Sequence, residues 1–244
     1  ILGQSPQNDF NCIYDDLQLN WRVIPDPSLV HFSTSPHLNH RHVAESEFAR
    51  IRFFDAFLKG EGAFPATPEL TVQLKASNGI PVATVKPDAV DQVQRVQIYY
   101  SINPHSLTRF WRRAETARTG DVWKAHLPVM STAMPLFVMA NVEYTQPRPL
   151  IGAPPTFLVS TWEQVVDPPA LKAAGVKETD RPERMIQASF DDWGDWYRIG
   201  WPNTQHALSG TRKLTDPKWR GPDGASLSID VKDPQGGNFL MTFD

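Results

Sequence analysis

Two short stretches of this chain carry side chains suited to acid–base chemistry. Asn8-Asp9-Phe10-Asn11 holds a carboxylate, and Pro36-His37-Leu38-Asn39-His40-Arg41-His42 holds three imidazoles. A carboxylate that accepts a proton bond from one imidazole nitrogen leaves the other nitrogen free to deprotonate a nucleophile. That is the acid-and-base half of a catalytic triad. His40 follows Asp9 by 31 positions, room for one helix and one strand. His37 and His42 share the loop, so all three histidines are candidate bases, and the Pro-x-x-Asn-His spacing favours His40, then His42. The plain alternatives are an Asx turn at Asp9, with Asn8 and Asn11 doing similar work, and solvated loop histidines.

The same loop could be read as a metal site, since His37, His40 and His42 with Asp9 or Asp15 would satisfy zinc. Spacing of i, i+3, i+5 puts the three rings on neither one helix face nor one strand face, and His-Glu-x-x-His does not occur. No metal and no cofactor is expected. Arg41 reads as a surface ion-pair partner rather than an anion clamp. Cys12 is the single cysteine, so it forms no internal disulfide; it is expected as a small buried apolar residue. Toward the end, Trp193, Trp196, Tyr197, Trp201 and Trp219 cluster in sequence. They read as packing residues first and as a sugar-stacking platform second. Asp191, Asp192 and Asp195 nearby read as a solvated turn before a calcium site.

The elements that must position these residues follow from patterning. Ile1-Leu2-Gly3 and Leu29-Val30-His31-Phe32 are short apolar runs, each followed by one of the two polar loops. Residues 14–23 are consistent with a short helix. Residues 45–59 predict a longer one, with Phe48, Ile51, Phe54, Phe57 and Leu58 near i, i+3, i+4 spacing and Gly60 as the stop. Strand, loop, helix, strand, loop, helix is α/β grammar, and parallel neighbouring strands would open both polar loops on one edge.

From Pro65 the pattern changes to period two. Strands are expected over 69–75 and 80–86 around Asn78-Gly79, over 93–101, as a pair 108–112 and 121–127 around Gly120, and over 136–144 and 156–165. Val72, Leu74, Val96, Ile98, Val138 and Ala140, continued by Tyr100 and Val142, should form the inward face. About seven strands in a hundred residues read as an immunoglobulin-like β-sandwich. Asp167-Pro168-Pro169 opens an Ala-rich linker with room for one helical turn. Alternation returns at 227–231 and 238–243 as the start of a second sandwich.

Composition bounds the rest. The chain has 244 residues and a net charge of −3, which argues against a nucleic-acid backbone binder. No apolar run reaches the roughly 18 residues of a membrane span. Its 22 prolines, about twice average usage, suit short strands and ordered loops. The first residue is not Met, and the last run reads as a strand cut in its middle, so the chain is expected to be a piece of a longer protein.

Three stretches resemble a known group. Ser5-Pro6-Gln7-Asn8-Asp9-Phe10-Asn11, Pro36-His37-Leu38-Asn39-His40-Arg41-His42 and Phe53-Phe54-Asp55-Ala56-Phe57-Leu58-Lys59-Gly60 resemble the C-terminal part of an α/β-hydrolase. The likeness is to secreted bacterial esterases of the acetylxylan-esterase-like or dienelactone-hydrolase-like group, in which β-sandwich modules follow the hydrolase domain. The resemblance covers roughly a quarter of the chain at motif level. It implies that Asp9 is the acid and His40 the base. The superfamily order is nucleophile, acid, base. The G-x-S-x-G elbow is missing; Gly3-Gln4-Ser5-Pro6-Gln7 lacks the second glycine. Cys12 does not replace it, since it follows the acid and has no flanking glycine. The nucleophile and the oxyanion donors would therefore lie outside the chain.

The expectation is a mixed α/β and all-β chain. Residues 1–64 would be the hydrolase fragment, 65–166 the immunoglobulin-like sandwich, 167–185 a linker, and 186–244 a truncated, carbohydrate-binding-like second sandwich. The expected function is part of a serine esterase acting on an acylated carbohydrate or similar small ester. The expected partners are that substrate and a missing N-terminal hydrolase segment, with no nucleic acid and no membrane span. Secretion or a periplasmic location is implied by the resemblance alone. The alternative is a non-catalytic carbohydrate-binding or interaction protein that keeps a hydrolase remnant.

Overall fold

In the computed structural model, Leu2–Pro6 (β1) and His31–Ser35 (β2) lie parallel and in register, Leu2 beside His31 and Pro6 beside Ser35. The residues described are 1–147, 152–186, 195–200, 207–229, 236 and 241. Parallel neighbours need a crossover, and Tyr14–Trp21 (α1) supplies it. Gly3 makes room for that helix. The Trp21 ring stacks on Phe32 at 5.1 Å, and a Cβ on Gly3 would lie 1.7 Å from the indole.

Ala44–Phe54 (α2) follows β2 and continues through a π turn at Asp55–Lys59 to Gly60, at φ 70°. Its expected apolar stripe is corrected. Ile51, Phe54, Phe57 and Leu58 are exposed, and Phe48 is half-buried. The helix meets the sheet through the small residues Ser46 and Ala49. The Ser46 hydroxyl donates to the Ser33 carbonyl at 3.1 Å and accepts from the Ser33 hydroxyl at 3.0 Å. Close approach through Ser46 and Ala49 takes the face nearest the sheet, and of the expected stripe only Phe48 packs against the core.

Nine strands follow in the next hundred residues: Glu69–Gln73 (β3), Val82–Lys86 (β4), Val93–Ser101 (β5), Arg112–Arg113 (β6), Thr116–Thr119 (β7), Val122–His126 (β8), Leu136–Thr145 (β9), Thr156–Ser160 (β10) and Gln164–Val166 (β11). The partner of β8 across Gly120 is β7, not residues 108–112, most of which form a tight turn and a coil before β6. Pro168–Ala173 (α3) comes next, then the hairpin of Tyr197–Gly200 (β12) and Ala207–Gly210 (β13).

The strands form a mixed seven-stranded sheet in the order β1-β2-β10-β9-β5-β6, with β11 also on β9, and a four-stranded antiparallel sheet β3-β4-β8-β7. The larger sheet runs across position 64, because β2 pairs with β10 through Phe32 and Ser160. The parallel pair and the sandwich strands thus share one hydrogen-bonded layer. Strands dominate this mixed α/β chain.

The two sheets pack face to face. Val96, Ile98 and Tyr100 of β5 and Val138, Ala140 and Val142 of β9 meet Leu70, Ala83, Val85, Trp123 and Ala125 in one core. Val72 and Leu74 sit half-buried at its margin. The parity is the one that period two predicts. β9 is buried on both faces because its other parity is also covered: Phe137 and Met139 pack with Tyr99 and Trp111. The stretch read as a linker is packed as well. Leu171 and Val176 enter the main core, and Lys177 N–H donates to the Gly79 carbonyl at 2.9 Å. Residues 227–229 carry no strand, and the alternation expected at 238–243 lies outside the described residues apart from Met241, which is in no strand.

Candidate active site

Because β1 and β2 are parallel neighbours, the loops that follow them leave the sheet on one edge, and backbone bonds stitch them together. Gln7 N–H donates to the Ser35 carbonyl at 3.1 Å, Asn8 N–H to the Leu38 carbonyl at 3.2 Å, and Phe10 N–H to Asn39 Oδ1 at 3.4 Å.

Asp9 is buried and its two oxygens do different things. Oδ1 accepts from Asn11 N–H at 2.8 Å, which is the Asx turn expected of this stretch. Oδ2 lies 3.3 Å from His40 Nδ1. The His40 side chain is 66% exposed. The Phe10 ring, itself exposed, stacks beside it at 6.0 Å.

The same Nδ1 lies 3.2 Å from Asn11 Nδ2. One nitrogen cannot donate to Asp9 and accept from the Asn11 amide at once. With the proton on Nδ1, His40 pairs with Asp9 and presents a bare Nε2, the form a general base needs. With Nδ1 bare, Asn11 becomes its partner and Nε2 carries the proton.

The other two histidines are placed differently. His37 is buried, its ring 4.9 Å from Phe110 and 6.4 Å from Tyr99. Burial, reinforced by Arg212, Lys213 and Arg113, pushes its pKa down to about 3. It is a neutral packing residue. His42 is half-buried, and burial lowers its pKa against the pull of Glu47 and Asp9. Of the three, His40 is the one hydrogen-bonded to Asp9. Both of its partners among the described residues, Asp9 and Asn11, are side chains that cannot serve as a hydroxyl or thiol nucleophile.

The histidine loop is held in an unusual conformation. His37 has φ 66° and His40 φ 56°, the left-handed region that costs a non-glycine residue about 1–2 kcal/mol. Two side chains, in a role that the sequence did not reveal, hold both loops against one turn of the sandwich. Asn8 Nδ2 lies 3.0, 3.3 and 2.9 Å from the carbonyls of Ser106, Leu107 and Arg109. Arg212 Nη1 donates to the His37 carbonyl at 2.8 Å and Nε to the Leu107 carbonyl at 3.1 Å. Asn8 could be read only as a turn former, and nothing local marks Arg212.

Below the loops, Arg109 forms a two-pronged ion pair with Asp15 of α1, both bonds 2.8 Å, and its guanidinium lies 3.6 Å from the centre of the Phe137 ring. Burial, with Asp15 second, raises the Glu163 pKa against Arg109 and Arg22. This network anchors the start of α1, and with it the end of the acid loop.

The remaining candidates resolve as follows. Cys12 is exposed, a correction to its expected burial; the turn after Asp9 carries it outward ahead of α1. Trp219 is no open platform. Phe110 meets its ring edge-on at 5.1 Å, with Lys213, Lys218 and Arg112 at 5.1, 5.6 and 5.7 Å. Asp195 is paired with Lys213 at 2.7 Å. Trp193, Trp201, Asp191 and Asp192 lie outside the described residues. Among the described residues, no group of three or more His, Cys, Asp or Glu is disposed to hold a metal, and no helix is long and apolar enough to cross a membrane. A shallow cavity of about 250 Å³, lined by Arg95, Gln97, Arg113 and Thr116 among others, shares no residue with the Asp9–His40 pair.

The buried imidazoles give a testable pH dependence. His31 is packed against Phe53, Phe57 and Phe64, and burial lowers its pKa to about 4. An unfolded histidine titrates near 6.5. Between about pH 6.5 and these folded values the unfolded chain binds more protons, so stability rises with pH across that window. Unfolding free energies from urea titrations should be level above about pH 7 and fall steadily below 6.5, by a few kcal/mol in all. His31→Phe should flatten part of that slope. A midpoint unchanged from pH 7 to 4.5 would contradict the burial of both rings.

Searches of protein-family models, curated proteins and solved structures found no match to this chain.

Proposed function

We propose that this chain is part of a carboxylic ester hydrolase, supplying the acid and base of a catalytic triad whose nucleophile lies outside residues 1–244. The observation that carries this is the 3.3 Å contact between Asp9 Oδ2 and His40 Nδ1, made by loops on one edge of two adjacent parallel strands. In this reading residues 1–64 are the C-terminal part of an α/β-hydrolase, and the sandwich is an immunoglobulin-like module of a secreted or periplasmic esterase.

Asp9 holds the proton on Nδ1. Nε2 takes the proton of the incoming serine hydroxyl as its oxygen bonds to the ester carbonyl carbon. The imidazolium then gives that proton to the alkoxide leaving group as the carbon–oxygen bond breaks. Water repeats the sequence on the acyl-enzyme, releasing the acid. The Asp9 carboxylate orients the ring and stabilises the imidazolium. The exposed His40 ring, with Phe10 beside it, suits approach by a separate nucleophile-bearing segment and by a small ester, an acylated sugar being the class the resemblance favours.

The test has two arms. Residues 1–244 alone should leave p-nitrophenyl acetate at its background rate. The protein expressed from its whole reading frame should hydrolyse it and carry G-x-S-x-G upstream of Asp9. Activity of the isolated chain that is lost on mutating one of its own serines would overturn the assignment of the nucleophile. A whole protein that lacks the elbow and is inert would favour the alternative, a non-catalytic carbohydrate-binding or interaction protein.

A further inference from the structure

We propose that Arg212 is a positioning residue for the base. It would hold His40 in the Nδ1–H tautomer by tying the histidine loop to the sandwich turn at Leu107; the inference rests on the Asp9–His40 reading above. Arg212 lies far along the chain, just after the β12–β13 hairpin, yet its guanidinium spans two backbone carbonyls that belong to different parts of the site. Nη1 donates to His37 at 2.8 Å and Nε to Leu107 at 3.1 Å.

The turn that carries Leu107 also accepts the Asn8 amide, so the acid loop and the histidine loop are referred to the same point. The fork geometry of arginine suits this bridge, since it addresses two acceptors in fixed relation.

The loop needs such a tie. His37 and His40 both occupy the left-handed region, and residues there persist only where surrounding contacts over-determine them. The His37 ring is packed against Phe110, but its backbone is held by Arg212. A relaxation between His37 and His40 would change which partner Nδ1 meets. Asp9 Oδ2 stands at 3.3 Å and Asn11 Nδ2 at 3.2 Å, so the two compete for one ring nitrogen at nearly equal reach. Asp9 selects Nδ1–H and a bare Nε2; Asn11 selects the reverse. The C-terminal segment would thereby set the protonation pattern of a base more than 170 positions earlier in the chain.

Long-range ¹H–¹⁵N NMR on the ¹⁵N-labelled chain, at a pH where imidazoles are neutral, reads the tautomer of each histidine. The wild-type chain should show His40 mainly as Nδ1–H. Arg212→Ala should raise the Nε2–H share at least threefold, with the His31 signals unmoved. Arg212→Lys, which keeps the charge and can reach one carbonyl, should give a smaller rise, and it carries the test should the alanine variant fail to fold. An Nδ1–H His40 that stays so in both variants overturns this role of Arg212 and leaves the acid–base pair standing. A wild-type His40 that is mainly Nε2–H removes the acid–base reading itself, and the proposal with it.

Discussion

Asp9→Asn in the whole protein should lower kcat for p-nitrophenyl acetate by about 10³–10⁴-fold with little change in KM. The substitution keeps the shape of the side chain and reverses one of its polarities. An asparagine that turns its NH2 toward His40 Nδ1 forces that nitrogen to accept, and the proton moves to Nε2. The base is then blocked at the atom that must take the hydroxyl proton. The full factor corresponds to about 5.5 kcal/mol of transition-state stabilisation, more than the neutral hydrogen bond itself is worth. His40→Ala should cost at least as much. His37→Phe should cost far less in kcat, since that ring is a buried neutral plug against Phe110 and Tyr99. Folding of each variant is checked by its urea midpoint. An Asp9→Asn enzyme within threefold of wild type would sink the assignment of Asp9 as the acid. Equal losses for His37→Phe and His40→Ala would mean that the loop's packing, not its chemistry, is being measured.

The pairing of Asp9 with a histidine of the later loop was legible because it needs only local order. Two short apolar runs separated by helix length predict parallel neighbours, and their following loops then share an edge. The inward parity of β5 and β9 was legible for a similar reason, since period two admits only two answers and Gln73, Gln97 and Lys75 mark the wrong one. What was not legible depends on contacts between distant residues or on small side chains. Asn8 meets its acceptors about a hundred positions away, and Arg212 meets His37 at 175. The face of α2 was misjudged because the pattern counts large apolar residues. The helix instead approaches through Ser46 and Ala49, sites that a hydrophobic period cannot register. The strand expected at 108–112 failed where Thr108 closes a tight turn whose carbonyls serve Asn8 and Arg212.

The segment that carries Arg212 is held down by an ion-pair cluster whose disruption should have the largest effect on stability. Arg112 of β6 is buried, and its Nε donates to Asp216 Oδ2 at 3.0 Å while Nη1 donates to Asp180 Oδ2 at 2.5 Å; Nη2 also donates to Asp216 Oδ1. Asp216 is fully buried and takes a further bond from Lys218 N–H at 2.8 Å, while Lys218 Nζ reaches Asp180 at 2.9 Å. Burial alone would favour a neutral guanidinium, but the bonds to Asp216 outweigh it and raise the Arg112 pKa. Arg112→Met removes the charge that both carboxylates face. Asp216 has no solvent to turn to, so the expected loss is about 3–5 kcal/mol of unfolding free energy. The loss would come from stranded charge rather than from the net worth of the pair. Replacing Arg112, Asp180 and Asp216 together by apolar residues of similar volume should therefore recover most of it. Urea unfolding of the single and triple variants measures both quantities. Asp216 lies four positions beyond Arg212, across the turn Lys213–Thr215, so the single variant should also loosen the grip on the His37 carbonyl. A loss below about 1 kcal/mol for Arg112→Met would place water at these carboxylates and would mean that the cluster does not anchor the segment.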